Sequence, residues 1–400
     1  MRPYPEHGRR FFYALSMERG HYEPEHTAFA EAVRTFLDKE VMPHYLDWER
    51  DGITPREVFT AAGRQGFLGM AIPERFGGGG TADFRFNQAL GEQVAYAGVA
   101  GTGLGITLHN DICLPYVLAY CSDEQRDRWL PGIASGALIT AVAMTEPGAG
   151  SDLSGIRTSA VRSCPSDDHY VVNGAKTFIT NGVNADLVIT AVRTSEEKHR
   201  GLTLLILERG MPGFERGRNL AKVGMHSQDT AELSFNDVRV PVANRLGEEG
   251  AGFGQLVANL PQERLSIAIA GLAAARAAFE QTVAYVRERH AFGTSIGTFQ
   301  NTRFVLAEIA TEIDVAQAFV DKCVLALNAG DLTVEDAAKA KWWCTELQGR
   351  VVDRCVQLHG GYGYMLEYPI ARAFADARVT RIYGGATEIM KEIIGRSLPL

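Results

Sequence analysis

The sequence predicts an α+β protein in which a helical N-terminal third, a β-rich middle and a helical C-terminal third follow one another. Three observations carry this. Near the start, Phe29, Val33, Phe36, Leu37 and Val41 recur at helical spacing. In the middle, short β-type runs alternate with turn dipeptides. Towards the end, Leu306, Ile309, Ile313, Ala316, Val320, Cys323 and Leu327 form one apolar stripe with steps of three and four. A chain of 400 residues exceeds one ordinary core. The changes of character place three domains at 1–136 (with 1–21 as an extension), 137–246 and 247–400.

The first helix is expected from about His26 to Tyr45 and the second from Pro55 to Gly66, with Pro55 in its first turn. Gly77-Gly78-Gly79-Gly80 is a loop. Helical patterns resume at Asn87–Tyr96, Leu104–Ala119 and Asp123–Leu130. From Leu138 the runs Ile139–Thr145, Tyr170–Val172, Lys176–Thr180, Leu187–Val192, Leu202–Leu207 and Thr230–Phe235 read as strands. The last puts Ala231, Leu233 and Phe235 on one face. Pro147-Gly148, Asn173-Gly174, Asn181-Gly182 and Asn236-Asp237 are read as the turns between strands, which argues an antiparallel domain or small barrel. Helices are then expected over Glu263–Arg289, Val334–Leu358 and Thr387–Arg396.

The net charge of −8 and the lack of a basic block argue against nucleic acid as a partner. No apolar run reads as long enough to span a bilayer, so membrane insertion is not expected. Arg9-Arg10-Phe11-Phe12 leads into no long apolar core, and Glu6 and Glu18 fit a mitochondrial transit peptide poorly. Met17 is a candidate alternative start. None of the six cysteines forms a C-x-x-C pair, which suggests reduced thiols and neither a zinc site nor cysteine redox chemistry. A bacterial-type cytoplasmic location is expected from these signals, ahead of the mitochondrial matrix.

Candidate chemistry sits in a few segments. Gly101–Gly105 and Gly250–Gly254 look superficially like nucleotide loops, but neither opens a βαβ unit and no Walker lysine is present. Thr145-Glu-Pro-Gly-Ala-Gly-Ser151-Asp152 leaves a β-run and turns on two glycines. It either offers N–H groups and hydroxyls to an anion or ring edge, or is a tight turn with Ser151 or Asp152 as a helix cap. Phe178 and Thr180, if on one face, offer an aromatic plane and a hydroxyl to a flat heterocycle; the alternative is an ordinary strand with one core aromatic.

Leu256, Leu260, Glu263, Ile267 and Ala270 share a helical stripe, which puts a carboxylate among apolar neighbours. Burial raises a carboxyl pKa and suits a general base. A helix-terminal carboxylate or a buried ion pair is the other reading. Pro261 implies a kink or a helix start. His359-Gly360-Gly361 suggests an oxyanion loop, but no Gly-x-Ser-x-Gly elbow accompanies it, so a serine hydrolase is unsupported.

Taken together and in order, four segments resemble the acyl-CoA dehydrogenase family over nearly the whole chain from about residue 22. They are Thr145–Asp152, Phe178–Gly182, Gln228–Phe235 with Asp237-Val-Arg-Val-Pro241, and Gln357–Gly363. The resemblance implies an N-terminal helical domain, a middle antiparallel β-barrel-like domain and a C-terminal four-helix bundle. It also implies non-covalent FAD and a homotetramer, or at least a dimer.

The Thr145–Ser151 loop would meet the flavin ring and pyrophosphate, Phe178 would lie on the isoalloxazine, and Thr180 would donate near N5. Arg289, Phe292 and Gln300 would grip FAD across a subunit interface; Gln357, Gly360 and Gly361 would hold its adenosine and phosphate end. Val142, Met144, Gly150, Ile179, Thr387 and Glu388 join this cofactor set. Ala386 stands where relatives often have Thr. Ser151, Gln262, Arg264, Tyr383, Gly384 and Gly385 are the implied substrate contacts. No metal is expected.

The commoner branch has Tyr-Glu-Gly where this chain has Tyr383-Gly384-Gly385. Glu263 supplies a carboxylate instead, as in branches that resemble long-chain and isovaleryl-CoA dehydrogenases. The implied reaction is α-proton removal by Glu263 with β-hydride transfer to flavin N5, giving a trans-2-enoyl-CoA from a long-chain or branched acyl-CoA in fatty-acid β-oxidation. A backbone N–H near Gly384 would polarise the thioester, and an electron-transferring flavoprotein would take the electrons. The alternatives are an acyl-CoA oxidase, a flavin monooxygenase or nitroalkane oxidase on the same fold, and a non-catalytic subunit.

Overall fold

The computed structural model describes residues 19–399 apart from 163, 165, 198 and 199. The extension expected over 1–21 therefore lies outside the described residues as far as residue 18. Residues 19–21 are tied down: Arg19 pairs with Asp321 and Glu92, and His21 bonds Gln88.

The N-terminal part is helical. It holds α1 (Pro24–Phe36), α2 (Tyr45–Asp51), α3 (Arg56–Arg64), α4 (Phe84–Ala97), α5 (Ala100–Thr107), α6 (Leu114–Tyr120) and α7 (Asp123–Ser135). Pro55 is the N-cap of α3, one position before its expected place. Wider π-helical turns at Leu37–Val41 and Leu108–Cys113 follow α1 and join α5 to α6. Gly103 lies inside α5, where any side chain would strike Val94 of α4. The Gly101–Gly105 run thus serves close helix approach.

The middle part is one sheet of β1 (Thr140–Ala143), β2 (Ser159–Val161), β3 (His169–Thr180), β4 (Leu187–Arg193), β5 (Leu202–Glu208), β6 (Phe214–Asn219), β7 (Thr230–Pro241) and β8 (Arg245–Leu246). Its order is β6-β7-β3-β2-β4-β5-β8, with β1 paired to β4. Two expectations are corrected. The sheet does not close into a barrel, since β6 and the two-residue β8 are its unjoined ends. Nor is it wholly antiparallel: β1 and β4 run parallel, and so does the single β2–β4 pair.

Two of the dipeptides read as turns lie within strands. Asn173-Gly174 and Asn236-Asp237 fall inside β3 and β7 and face each other across the ladder as a bulge. Asn173 Nδ2 donates to Asp237 Oδ1 at 2.9 Å, and the Asp237 N–H returns a bond to Asn173 Oδ1 at 2.9 Å. Asp237 takes a φ of 50°, which its short side chain tolerates. A residue type suited to turns here builds a β-bulge. A second shift lies between Lys176 and Ile179.

Strands β4 and β5 are buried on both faces. Leu187, Ile189, Leu204 and Ile206 pack on Trp129, Leu130 and Ile133 of α7. Val188, Val192, Leu205 and Leu207 face the core under Tyr170, Leu233 and Phe235.

The C-terminal part holds α8 (Gly252–Glu288), a hairpin of β9 (His290–Ala291) and β10 (Thr294–Ser295), then α9 (Gln300–Ala329), α10 (Val334–His359), α11 (Pro369–Ala377) and α12 (Thr387–Arg396). The expected four-helix bundle is instead three long helices with two short ones, because the turns at Gly360–Tyr364 and Tyr383–Gly385 interrupt the last stretch. α8 begins at Gly252, well before its expected start, and runs through Pro261 unbroken. By length and composition α8 is apolar enough to cross a membrane, contrary to the sequence reading. Here Leu265, Ala268, Leu272 and Phe279 put it in a core with α9 and α10.

Candidate active site

Glu263 sits on α8 and is 3% exposed. The Tyr116 hydroxyl on α6 donates to its Oε1 at 2.7 Å. Burial pushes the Glu263 carboxyl up to about 7, against the opposing pull of the Tyr116 bond and the Arg264 charge. Such a group is part ionised near neutrality and can take up a proton. Arg264 is itself buried and its Nε has no hydrogen-bond partner among the described residues. Gln262 is turned away, donating to the Asp111 carbonyl at 2.8 Å. Beside it, the buried Asp111 carboxylate accepts from Ser266 at 2.5 Å and Asn87 at 2.6 Å.

Gly384 adopts a φ of +61°, and any side chain there would strike Ile267 Cδ1, one turn along α8 from Glu263. A side chain at 384 would have to take a positive φ and push the end of Ile267 aside; with glycine there, Glu263 is the carboxyl on the α8 side of the turn. The Gly384 N–H makes no backbone hydrogen bond among the described residues. The Gly385 carbonyl accepts from the buried Lys341 at 2.6 Å, and this holds the Tyr383–Gly385 turn.

The Thr145–Asp152 segment leaves β1. Its backbone is pinned where the Thr177 N–H donates to the Thr145 carbonyl at 2.9 Å and where Glu146 and Ala149 exchange two bonds. Beneath it the Glu146 carboxylate accepts from the Arg157 and Thr158 N–H groups and from the fully buried Lys176 at 2.9 Å. Lys176 Nζ also donates to the Met144 carbonyl at 3.1 Å. Burial opposes both charges. It pulls Lys176 down to about 8, while Lys176 and the N–H donors hold Glu146 below the usual carboxylate range despite burial.

Asp152 caps the short turn Leu153–Gly155, as one sequence reading had it, while Ser151 stays exposed. Gly148 and Gly150 have nothing packed against them. On β3, Phe178 stands at a φ of 60° with its ring 67% exposed, between buried Thr177 and Ile179. The bulge turns the aromatic face outward at a site where ordinary alternation would bury it. Open glycines, an outward aromatic plane and half-buried Thr180 on one edge fit a flat heterocycle carrying phosphates. Val142 and Met144 pack in the cluster that contains Tyr116 and Leu256, and so connect this edge to Glu263.

Other expected contacts lie elsewhere. Arg289 caps the far end of α8, roughly 37 Å along the helix from Glu263. Phe292, at the hairpin tip, is 97% exposed, and Gln300 opens α9. Gln357, Gly360 and Gly361 sit exposed at the end of α10, where Arg289 lies over Tyr362. The Thr387 hydroxyl donates to Glu346 at 3.1 Å, and Glu388 is exposed on α12.

A largely apolar groove leads away from Tyr383 between α4, α5, α8 and α11, with the charged Arg372 and Asp376 of α11 also lining it. Gly91, Ala95 and Gly98 line one wall, and Ala270, Ala274 and Ala277 the other.

Three family models match this chain: "Acyl-CoA dehydrogenase, N-terminal domain" over residues 23–137, the middle domain over 141–238, and the C-terminal domain over 250–398. A mitochondrial long-chain specific acyl-CoA dehydrogenase of Mus musculus is 47% identical over 380 residues, covering 94% of this chain and 87% of that one. An acyl-CoA dehydrogenase of Bacillus subtilis (strain 168) is 35% identical over 379 residues, 94% of this chain and 99% of that one. The crystal structure of an acyl-CoA dehydrogenase from Geobacillus kaustophilus superposes with a TM-score of 0.92 at 49% identity, covering 96% of this chain and 100% of that one.

Proposed function

Because this chain belongs to the acyl-CoA dehydrogenase family, an FAD-dependent oxidoreductase family, we propose that it converts a long-chain acyl-CoA to the trans-2-enoyl-CoA with Glu263 as the base. One observation carries the assignment: the Glu263 carboxyl is buried on α8 and poised near neutrality, one turn from Ile267, the side chain that packs against Gly384 of the Tyr383–Gly385 turn.

In this reading Glu263 removes the α-proton. The N–H of Gly384 binds the thioester oxygen and stabilises the enolate-like charge that develops there. Entry of the acyl chain excludes water around Glu263 and strengthens it as a base. FAD, when bound, takes up the β-hydride. The Thr145–Ser151 loop and Phe178–Thr180 would hold its ring. Because Arg289 closes the far end of α8, with Phe292 on the hairpin and Gln300 at the start of α9 beyond it, they would serve a site on a second copy, which makes a homo-oligomer the working form. Electrons would leave to an electron-transferring flavoprotein.

The small side chains of the groove and the length of its α8 wall, from Ala270 to Gln281 or about 16 Å of helix, favour a long, straight tail. The name of the mouse relative points the same way. Replacing Ala274 with Phe fills this space. Turnover of palmitoyl-CoA is expected to fall at least tenfold while butyryl-CoA is processed within about threefold of the parent rate, as read from kcat/KM across a chain-length series.

The direct test is anaerobic titration of the purified holoenzyme with palmitoyl-CoA, following flavin absorbance. Bleaching supports the reading. A yellow protein that stays yellow with palmitoyl-CoA but bleaches with short or branched thioesters overturns the chain length. One that bleaches with none overturns the reaction.

A further inference from the structure

We propose that Tyr116 is a positioning residue for Glu263: its hydroxyl holds Oε1, favours the ionised carboxylate and leaves Oε2 to take the substrate proton. This rests on the reading of Glu263 as the base.

The two side chains come from different helices, α6 and α8, and both are buried, Tyr116 completely. Their 2.7 Å bond is the only hydrogen bond on Glu263 among the described residues, so nothing else there fixes its orientation. Burial, with Glu263 beside it, holds the Tyr116 hydroxyl far above its ordinary range. It therefore stays protonated and is a donor at every working pH. A hydroxyl donating to a carboxylate is a charge-assisted bond, and protonation of Glu263 weakens it. The bond therefore favours the ionised base against burial, which favours the neutral acid.

The other charged and titratable groups around Glu263 do not replace it. Arg264, next on α8, acts through space without an ion pair. Cys113, on the π-helical turn, is a buried thiol held above its usual range. Asp111 on the same turn is committed to Ser266 and Asn87, and Lys341 of α10 to the Gly385 carbonyl. Tyr120, one turn along α6, acts on Tyr116 itself.

Tyr116→Phe removes one oxygen and keeps the ring in its apolar cluster. The test uses the parent, Tyr116→Phe and Glu263→Gln as holoenzymes. Infrared difference spectra follow the protonated carboxyl band against pH, and the band missing in Glu263→Gln assigns it. In Tyr116→Phe its midpoint is expected to move up by about one pH unit or more. The acid limb of kcat/KM should move with it, giving about a tenfold loss below the midpoint that fades at alkaline pH. An unchanged midpoint, or a loss equal at every pH, overturns the proposal. Near-normal turnover in Glu263→Gln overturns the base assignment and this proposal with it, whereas a fixed midpoint in Tyr116→Phe overturns this proposal alone.

Discussion

Glu263→Gln is expected to lower kcat by about a thousandfold while the protein folds, binds FAD and becomes more stable at alkaline pH. The rate loss follows from removing the proposed proton acceptor, and general-base terms are worth about a hundred to ten thousandfold. The stability gain follows from linkage. The Glu263 carboxyl rises from 4.5 unfolded to about 7 folded, so the native state binds its proton more tightly. Its favourable contribution is complete below about 4.5 and is lost as pH rises through about 7. Above that, the parent holds an ionised carboxylate in an apolar place, a cost on the order of 3 kcal/mol that glutamine does not carry. Melting curves of the two proteins at pH 5 and pH 8 check this. The gap should open at pH 8 and narrow at pH 5. Equal melting temperatures at both, with normal turnover, would remove Glu263 from the chemistry.

Lys176→Met is expected to be the most destabilising single change near the site, by about 3–5 kcal/mol, because it strands the Glu146 carboxylate in the interior. The loop from Thr145 to Ser151 rests on that pair, so flavin retention should suffer along with stability. Two backbone donors remain on Glu146, from Arg157 and Thr158. Adding Glu146→Gln to Lys176→Met should therefore recover part of the loss, since the amide leaves no unpaired charge, although its one carbonyl oxygen can replace only one of the two carboxylate oxygens that accept those bonds. Denaturant unfolding of the single and double variants, with FAD content after gel filtration, measures both effects. A double variant no more stable than Lys176→Met alone would show that the lysine contributes by packing.

The helix–sheet–helix plan was legible because periodicities of 3.6 and 2 are local properties of the sequence. The Glu263 stripe was legible for the same reason. The topology of the sheet was not, since Asn-Gly and Asn-Asp pairs satisfy a bulge as well as a hairpin, and only the partner strand decides between them. Lys176 carried no usable signal of burial, because with a turn read at Asn173-Gly174 nothing tied its parity to that of Tyr170 and Val172; only the continuous strand β3 does so. Tyr116 carried none, because a tyrosine in an apolar helix looks like any core residue until a second helix brings a carboxylate to its hydroxyl. Asp111 was hidden in the same way.

The two irregularities on β3 cancel. Between Val172 and Gly174 the extra residue lies on β7; between Lys176 and Ile179 it lies on β3. The ladder slips by one for the short stretch from Gly174 to Lys176 and is then restored, so both ends of the strand keep the same register. Deleting Phe178 would leave Lys176 opposite Leu233 and Ile179 opposite Ala231, with Thr177 alone opposite Glu232, so the ladder would run straight and only the outward turn of the strand would be lost. Flavin retention should then fall while the sheet survives, which separates what the bulge does for the site from its part in the fold.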